Sequence, residues 1–357
     1  MKRFFVWTFK IGSALLMSLI IWEVILRLTI MSPVPYAQDA RLGWLPAPGS
    51  RGMEALEGQG ILRFNEHGFR DAPIGAPIPG GTRILCLGDS YTLGVQMPEA
   101  RTYPRRLEAL LKQRGVENVR VFNAGRAGTT LAFSVGLARQ YREVFAPDWT
   151  VIQVRDGWIE NFNRDQEVHF VEENGSFAAR VEWHWDTMSP RMKQLIRWHI
   201  RDIAIFQYGN RHLTELRKGG SGIQAEAPEK AKTPVKVQSQ SYLNKGEREL
   251  RSIGWAVSQL KAKYPHLILV HMPDGSLDFS GLRPPSSEEQ ELVTQCRRQN
   301  VPLITMRQSY LRDVELSHQV PIGFANTLPW QGHPNRRAHA LVAQALANEL
   351  APHLNPR

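Results

Sequence analysis

Five short apolar runs, most followed by a segment with helical spacing, constrain the fold of this chain more than any other feature. Arg83–Leu87 (RILCL) closes on Gly88 and precedes an amphipathic stretch, Tyr103–Lys112. Val119–Phe122 precedes Thr130–Phe145, and Trp149–Val154 follows Pro147-Asp148. His266–His271 and Val301–Thr305 flank a helical Glu288–Gln299, and Arg336–Leu350 reads as a final helix. Runs this apolar are buried on both faces, and strands separated by helices cannot pair as hairpins. The pattern therefore predicts a parallel sheet covered by helices on both sides.

The N-terminus sets the compartment. Residues 4–30 are mostly apolar, but the longest uncharged stretch, Ile11 to Trp22, is too short to cross a bilayer alone. Extension to Ile30 reaches the roughly 20 residues required, and it includes Glu23 and Arg27, one helical turn apart and able to pair near the interface. Lys2, Arg3 and Lys10 lie at the start of the segment, which favours a cytoplasmic N-terminus and an exported remainder. A cleaved signal peptide is the competing reading, but Pro35-Tyr36-Ala37 is a poor cleavage site and the apolar run is long for one.

These signals divide the chain into a membrane anchor (1–30), a tether and irregular segment rich in Pro and Gly (31–80), and an α/β domain (81–357). That domain carries an insertion at about 160–245. Part of the insertion is aromatic, with Trp183, Trp185 and Trp198. Residues 218–241 have almost no large apolar side chains and read as a loop.

Charge and cysteine content exclude other classes. The formal net charge is +10, of which Lys2, Arg3, Lys10 and Arg27 against Glu23 place +3 on residues 1–30. The remainder is scattered over helix faces such as Arg105-Arg106, Arg297-Arg298 and Arg336-Arg337. The basic 218–247 stretch lacks the aromatic residues of a single-strand binder, so no nucleic-acid partner is expected. The positive remainder suits a domain beside an anionic membrane or an acidic glycan. Cys86 and Cys296 are too few for a disulfide framework or a zinc site, and no cofactor or metal is called for.

In open parallel sheets the site lies at the carboxyl ends of the strands. The first strand ends in Gly88-Asp89-Ser90-Tyr91-Thr92-Leu93-Gly94. A serine directly after a strand, between glycines that allow close backbone approach, is placed to act as a nucleophile whose own amide faces the oxyanion. The same turn also serves as an ordinary helix N-cap. His333, before Pro334 and Asn335, sits on a loop from which an imidazole can reach Ser90 as general base. His339 lies within the following helix.

The Gly88–Gly94 sequence resembles the first block, GDSxTxG, of the SGNH/GDSL hydrolase superfamily. Asn65-Glu66-His67-Gly68-Phe69-Arg70 is similar to the NxxGFR element of membrane-anchored bacterial members. Asn123-Ala124-Gly125-Arg126-Ala127-Gly128 matches the second block and Gly332-His333-Pro334-Asn335 the last. The resemblance implies a flavodoxin-like three-layer α/β/α fold with a five-stranded parallel sheet. It makes Ser90 the nucleophile, His333 the base, and the amides of Ser90 and Gly128 oxyanion donors.

Two departures stand out. The family's Asp before the histidine is absent, Trp330 and Gln331 occupying those positions. The third block is eroded, with Gly157 where an asparagine belongs, or Arg155-Asp156 on the Asn-Asp pair if the turn is shorter. Arg155 is then the candidate replacement donor, with Asn161 and Asn163 as others.

The expectation is a single-pass inner-membrane serine esterase or O-acyltransferase. It would act on an O-acylated extracytoplasmic glycan, or another ester-bearing glycan or lipid, through an acyl-Ser90 intermediate. Trp158, Trp183 and Trp185 offer rings for stacking sugars, although tryptophan at helical spacing also serves a core. The rival expectation is a catalytically degenerate member of the fold that binds or assembles glycans.

Overall fold

A computed structural model describes residues 2–39, 42–77, 79–156, 168–181, 203–206, 208–209, 246–273, 284–327 and 329–354. The apolar N-terminus forms one helix, α1 (Lys2–Thr29). The following segment, read from sequence as irregular, carries five short strands: β1 (Met31–Ser32), β2 (Tyr36–Asp39), β3 (Gly43–Pro46), β4 (Arg51–Glu54) and β5 (Gly60–Arg63). They form two small antiparallel sheets, β1-β4-β5 and β2-β3. Strands of two to four residues are too short to display a period of two, which is why the sequence pattern misses them.

The domain core follows as β6 (Thr82–Gly88), α2 (Ser90–Leu93), α3 (Tyr103–Gln113), β7 (Val119–Gly125), α4 (Leu131–Phe145) and β8 (Trp149–Val154). A hairpin, β9 (Val168–Glu173) and β10 (Ser176–Val181), lies within the insertion. Its loop is Asn174-Gly175, both at positive φ (50° and 74°), which matches the twist of the flanking strands. Then come α5 (Glu247–Lys263), β11 (Leu267–His271), α6 (Ser287–Arg298), β12 (Leu303–Thr305), α7 (Arg307–Ser317) and α8 (Arg336–Leu354). The sequence reading had placed no helix at α5 or α7.

The central sheet is parallel throughout, in the order β12-β11-β8-β6-β7. This is the flavodoxin-like order, with the first strand, β6, between the second and third. Alternate residues point to opposite faces. Leu85, Leu87, Ile152, Leu267 and Leu269 bury against α4, α5 and α6. Ile84, Cys86, Val151, Ile268 and Val270 bury against α3, α7 and α8. Both faces are therefore apolar, and the polar groups able to react gather at the carboxyl ends of the strands, beside the β6/β8 crossover. The low-complexity 218–241 stretch lies outside the described residues, as do Trp158, Trp183, Trp185 and Trp198.

Candidate active site

Strand β6 delivers its last residues into a tight turn that only glycine can make. A Cβ on Gly88 would stand 2.2 Å from Thr92 Oγ1 and 2.4 Å from Gln153 Oε1. Asp89 caps α2, with Oδ1 accepting from Tyr91 N at 2.8 Å, while Gln153 Oε1 accepts from Asp89 N at 3.1 Å. Ser90 thus opens a helix of one turn, which ends at Gly94 in the left-handed conformation (φ 62°). Ser90 is 8% exposed, so its hydroxyl is largely removed from bulk water.

The far end of this helix is clamped from the N-terminal segment. Arg70 is fully buried and donates to Leu93 O (3.0 Å), Met97 O (2.7 Å), Ile61 O (3.2 Å) and Gly94 O. Burial lowers its pKa to about 10, with the Glu99 carboxylate opposing, so it remains a cation at neutral pH. Asp71 accepts from Arg105, Arg120 and Asn123 N, and Asn123 Nδ2 donates to Thr92 O. The Asn65–Arg70 element therefore fixes the nucleophile turn and does not itself reach Ser90.

His333 arrives on the loop before α8. Pro334 bridges Ile322, Gly323 N donates to His333 O at 2.9 Å, and Asn335 Oδ1 caps the helix by accepting from Arg337 N at 2.9 Å. The imidazole Nε2 stands 3.0 Å from Ser90 Oγ, as the sequence reading requires. Its Nδ1 is 2.6 Å from Glu57 Oε2, and Glu57 Oε1 accepts from His333 N at 2.6 Å.

Glu57 is the group that sequence reasoning missed. The orienting carboxylate does not come from Trp330 or Gln331, nor is it lost; it comes from the β4–β5 connection, 276 residues away in the chain. Glu57 is 3% exposed. Its loop is held by Asn326, whose Oδ1 accepts from Gly58 N at 2.7 Å and whose Nδ2 donates to Ala55 O at 3.1 Å. On the other side Gln59 N donates to Gln96 O at 2.8 Å. Gly332 leaves room for the carboxylate: at φ +86°, its Cβ would lie 2.1 Å from Glu57 Oε1.

An ionised carboxylate carries no proton, so the Glu57 contact takes Nδ1–H and leaves Nε2 with the lone pair that faces Ser90. Chemically, such an arrangement can supply a nucleophile, a base in the tautomer it needs, and a buried anion able to stabilise an imidazolium.

The remaining candidates fall into place around this line. Gly128 (φ 74°) lies in the turn after β7, tied to the nucleophile turn by Arg126 N and Thr129 Oγ1, both donating to Gly88 O. Arg155, at the end of β8, bonds Asp89 Oδ2 through Nε at 2.5 Å and stacks over the Tyr91 ring at 4.7 Å. Its Nε is thus committed to Asp89. Tyr91 in turn meets His333 edge-on, ring centroids 5.7 Å apart. Gly157, Asn161 and Asn163 lie outside the described residues.

His339 has a structural part. It is fully buried, accepts from Tyr103 N at 2.9 Å through Nδ1, and stacks on Tyr103. Burial, with Arg106, Arg70 and His333 adding to it, pushes its pKa down to about 3, so it is neutral and no competing base.

One group of metal-ligand chemistry occurs among the described residues: Asp156, His271 and Glu289, whose ligand atoms lie within 4.8 Å of one another. Arg307 occupies the neighbourhood, paired with Glu289 and 3.7 Å from Asp156 Oδ2. Burial pushes the Asp156 carboxyl up, but His271, Ser286 and Arg307 outweigh that and hold it below the usual range. One guanidinium is shared by the two carboxylates, and His271 bonds Asp156 at 3.2 Å, so the group forms an ion-pair and hydrogen-bond network at the ends of β8 and β11.

No protein-family model matches the sequence, and no curated protein matches it. The structure is similar to several solved ones. A two-domain esterase active on acetylated mannans shares 14% identity (TM-score 0.42), with 78% of this chain covered. The chain spans only 50% of that protein's length. A lipase/acylhydrolase from Enterococcus faecalis shares 15% identity (TM-score 0.42), covering 77% of this chain and 99% of that one. A member of the lipolytic G-D-S-L family from Veillonella parvula shares 14% (TM-score 0.39), covering 75% and 97%.

Proposed function

We propose that this chain is a serine esterase of the SGNH/GDSL kind, held at a membrane by α1, with Ser90, His333 and Glu57 as its triad. The observation that carries the reading is the continuous line Ser90 Oγ–His333 Nε2 (3.0 Å) and His333 Nδ1–Glu57 Oε2 (2.6 Å). In this scheme Ser90 Oγ attacks an ester carbonyl while its proton passes to His333 Nε2. Glu57 stabilises the imidazolium, and the amides of Ser90 and Gly128 donate to the oxyanion. The imidazolium returns the proton to the departing alkoxide, leaving acyl-Ser90. Water or a sugar hydroxyl, deprotonated by His333, then takes the acyl group. The substrate class is an O-acylated glycan outside the cytoplasm, and an N-terminal helix long and apolar enough to cross a bilayer supports a position beside the inner membrane.

Glu57 bears on the rival reading. A member that had become a binding protein would have no need of a buried carboxylate on the histidine ring, because burying an anion is costly unless it is paired. The test is labelling of the detergent-solubilised full chain with a fluorophosphonate probe. Wild type is expected to label and Ser90→Ala to remain unlabelled; equal labelling of the two, or none of either, overturns the proposal.

A further inference from the structure

The last turns of α1 are where the helix first meets the rest of the chain. Residues 3–22 are all exposed; beyond them Val24, Ile25 and Leu28 stay exposed, while Leu26 is 5% and Met31 4% exposed. Twenty residues at 1.5 Å each give about 30 Å, the thickness of a hydrocarbon core. Lys10, about 10 Å along that stretch, leans its methylene stem back toward the inner headgroups.

Glu23 is the next residue, and a carboxylate there is costly unless paired. Its Oε1 accepts from Ala204 N and its Oε2 from Ile205 N, each at 2.9 Å, and Arg27 Nε lies 2.6 Å from Oε1. Residues 203–206 of the insertion are therefore fastened to α1 directly after its unbroken exposed stretch. Ala204 is fully buried in this contact, while Ile203 (39% exposed) and Phe206 (54%) turn apolar side chains outward beside it.

We propose that residues 203–206 form a foot resting on the outer surface of the bilayer, with Ile203 and Phe206 in the boundary between headgroups and acyl chains. The occupant of this apolar surface is lipid, because the surface continues the exposed apolar face of α1. The proposal rests on α1 being a retained anchor. It shifts the outer boundary from Ile30, the limit expected from hydropathy, to Glu23. It also gives the domain two attachments to one helix end: the covalent one through β1, which pairs with β4 just before Glu57, and the Glu23 clamp. A domain on a single tether swings, whereas two attachments hold its orientation. Strand β4 runs directly into the connection that carries Glu57, so the covalent attachment is joined to the triad through two short strands.

The test places an environment-sensitive fluorophore on Phe206→Cys in the full chain, reconstituted in phosphatidylcholine–phosphatidylglycerol vesicles. The two native thiols do not compete: both are buried, and burial raises the Cys86 pKa and pushes that of Cys296 up to about 12. The expected result is blue-shifted emission, quenched several-fold more by lipids brominated near the headgroup than a label on Asn118→Cys. Asn118 is exposed at the amino end of the parallel sheet. Adding Glu23→Leu should abolish the difference while the chain still floats with the vesicles. Equal quenching at 206 and 118 in a floating protein overturns the foot alone. A chain that an alkaline wash strips from the vesicles overturns the anchor reading, and the foot with it.

Discussion

Replacing Glu57 by Gln tests the site at the position that sequence reasoning did not find. The carboxylate accepts two hydrogen bonds at 2.6 Å, one from His333 N and one from the Nδ1 proton. A glutamine amide has nearly the same shape but only one acceptor oxygen. If that oxygen stays on His333 N, the amide nitrogen faces Nδ1 and donates to it. The imidazole proton then moves to Nε2 and points at Ser90, so the base is in the wrong tautomer and the imidazolium has no counter-ion. Removing the orienting carboxylate of a serine triad in this way costs about 10⁴-fold in kcat, or roughly 5.5 kcal/mol of barrier. The assay is hydrolysis of p-nitrophenyl acetate by the full chain in detergent, with kcat and KM separated and a thermal melt to confirm folding. KM should change little, since Glu57 is buried behind the ring. A folded Glu57→Gln protein with kcat within tenfold of wild type would refute the assignment of Glu57 as triad acid.

Three further predictions follow from the surroundings. Gly332→Ala drives a methyl group into Glu57 at a residue with φ +86°, and displacing the acid by about 1 Å should lower kcat by around 10²-fold in the same assay; an unchanged rate would contradict the packing. Arg70→Met strips a donor from three buried carbonyls and from Ile61 O, and should lower the free energy of unfolding in urea by at least about 3 kcal/mol, against a contrary result of under about 1 kcal/mol. His339, at about 3 in the fold against its ordinary 6.5, binds its proton only on unfolding between those values. Stability should therefore fall as pH drops through that window, by about 2 kcal/mol at pH 5 from this group. His339→Gln, which keeps an acceptor for Tyr103 N, should flatten the dependence, and an equally steep curve would count against the assignment.

Legibility differed between parts of the molecule for physical reasons. Ser90 and His333 could be read because each sits in a local pattern, a strand closing on glycine and a Pro-Asn helix start, that backbone geometry demands. The five parallel strands were visible because burial on both faces leaves unbroken apolar runs. Glu57 had no such signature. It is a lone carboxylate in a Gly-rich connection, and its meaning arises only when Asn326 and Gln96 pin that loop beside His333. Arg155 could be placed at the site from its position after β8, but not its attachment to Asp89, which depends on how two loops meet. The Asn174-Gly175 turn was legible in principle and went unread, because the hairpin lies inside an otherwise pattern-poor insertion. Helix α5 was legible from its own spacing, with Ile253, Val257 and Leu260 on one face, and likewise went unread.

In the proposed reaction Ser90 forms a covalent acyl intermediate. Mass spectrometry of the full chain quenched in acid during turnover of p-nitrophenyl acetate tests it most directly. An acetyl group is expected on the peptide carrying Ser90, absent from Ser90→Ala and from His333→Ala. Ester hydrolysis by wild type with no acyl group on Ser90, or unchanged acylation in His333→Ala, would contradict it.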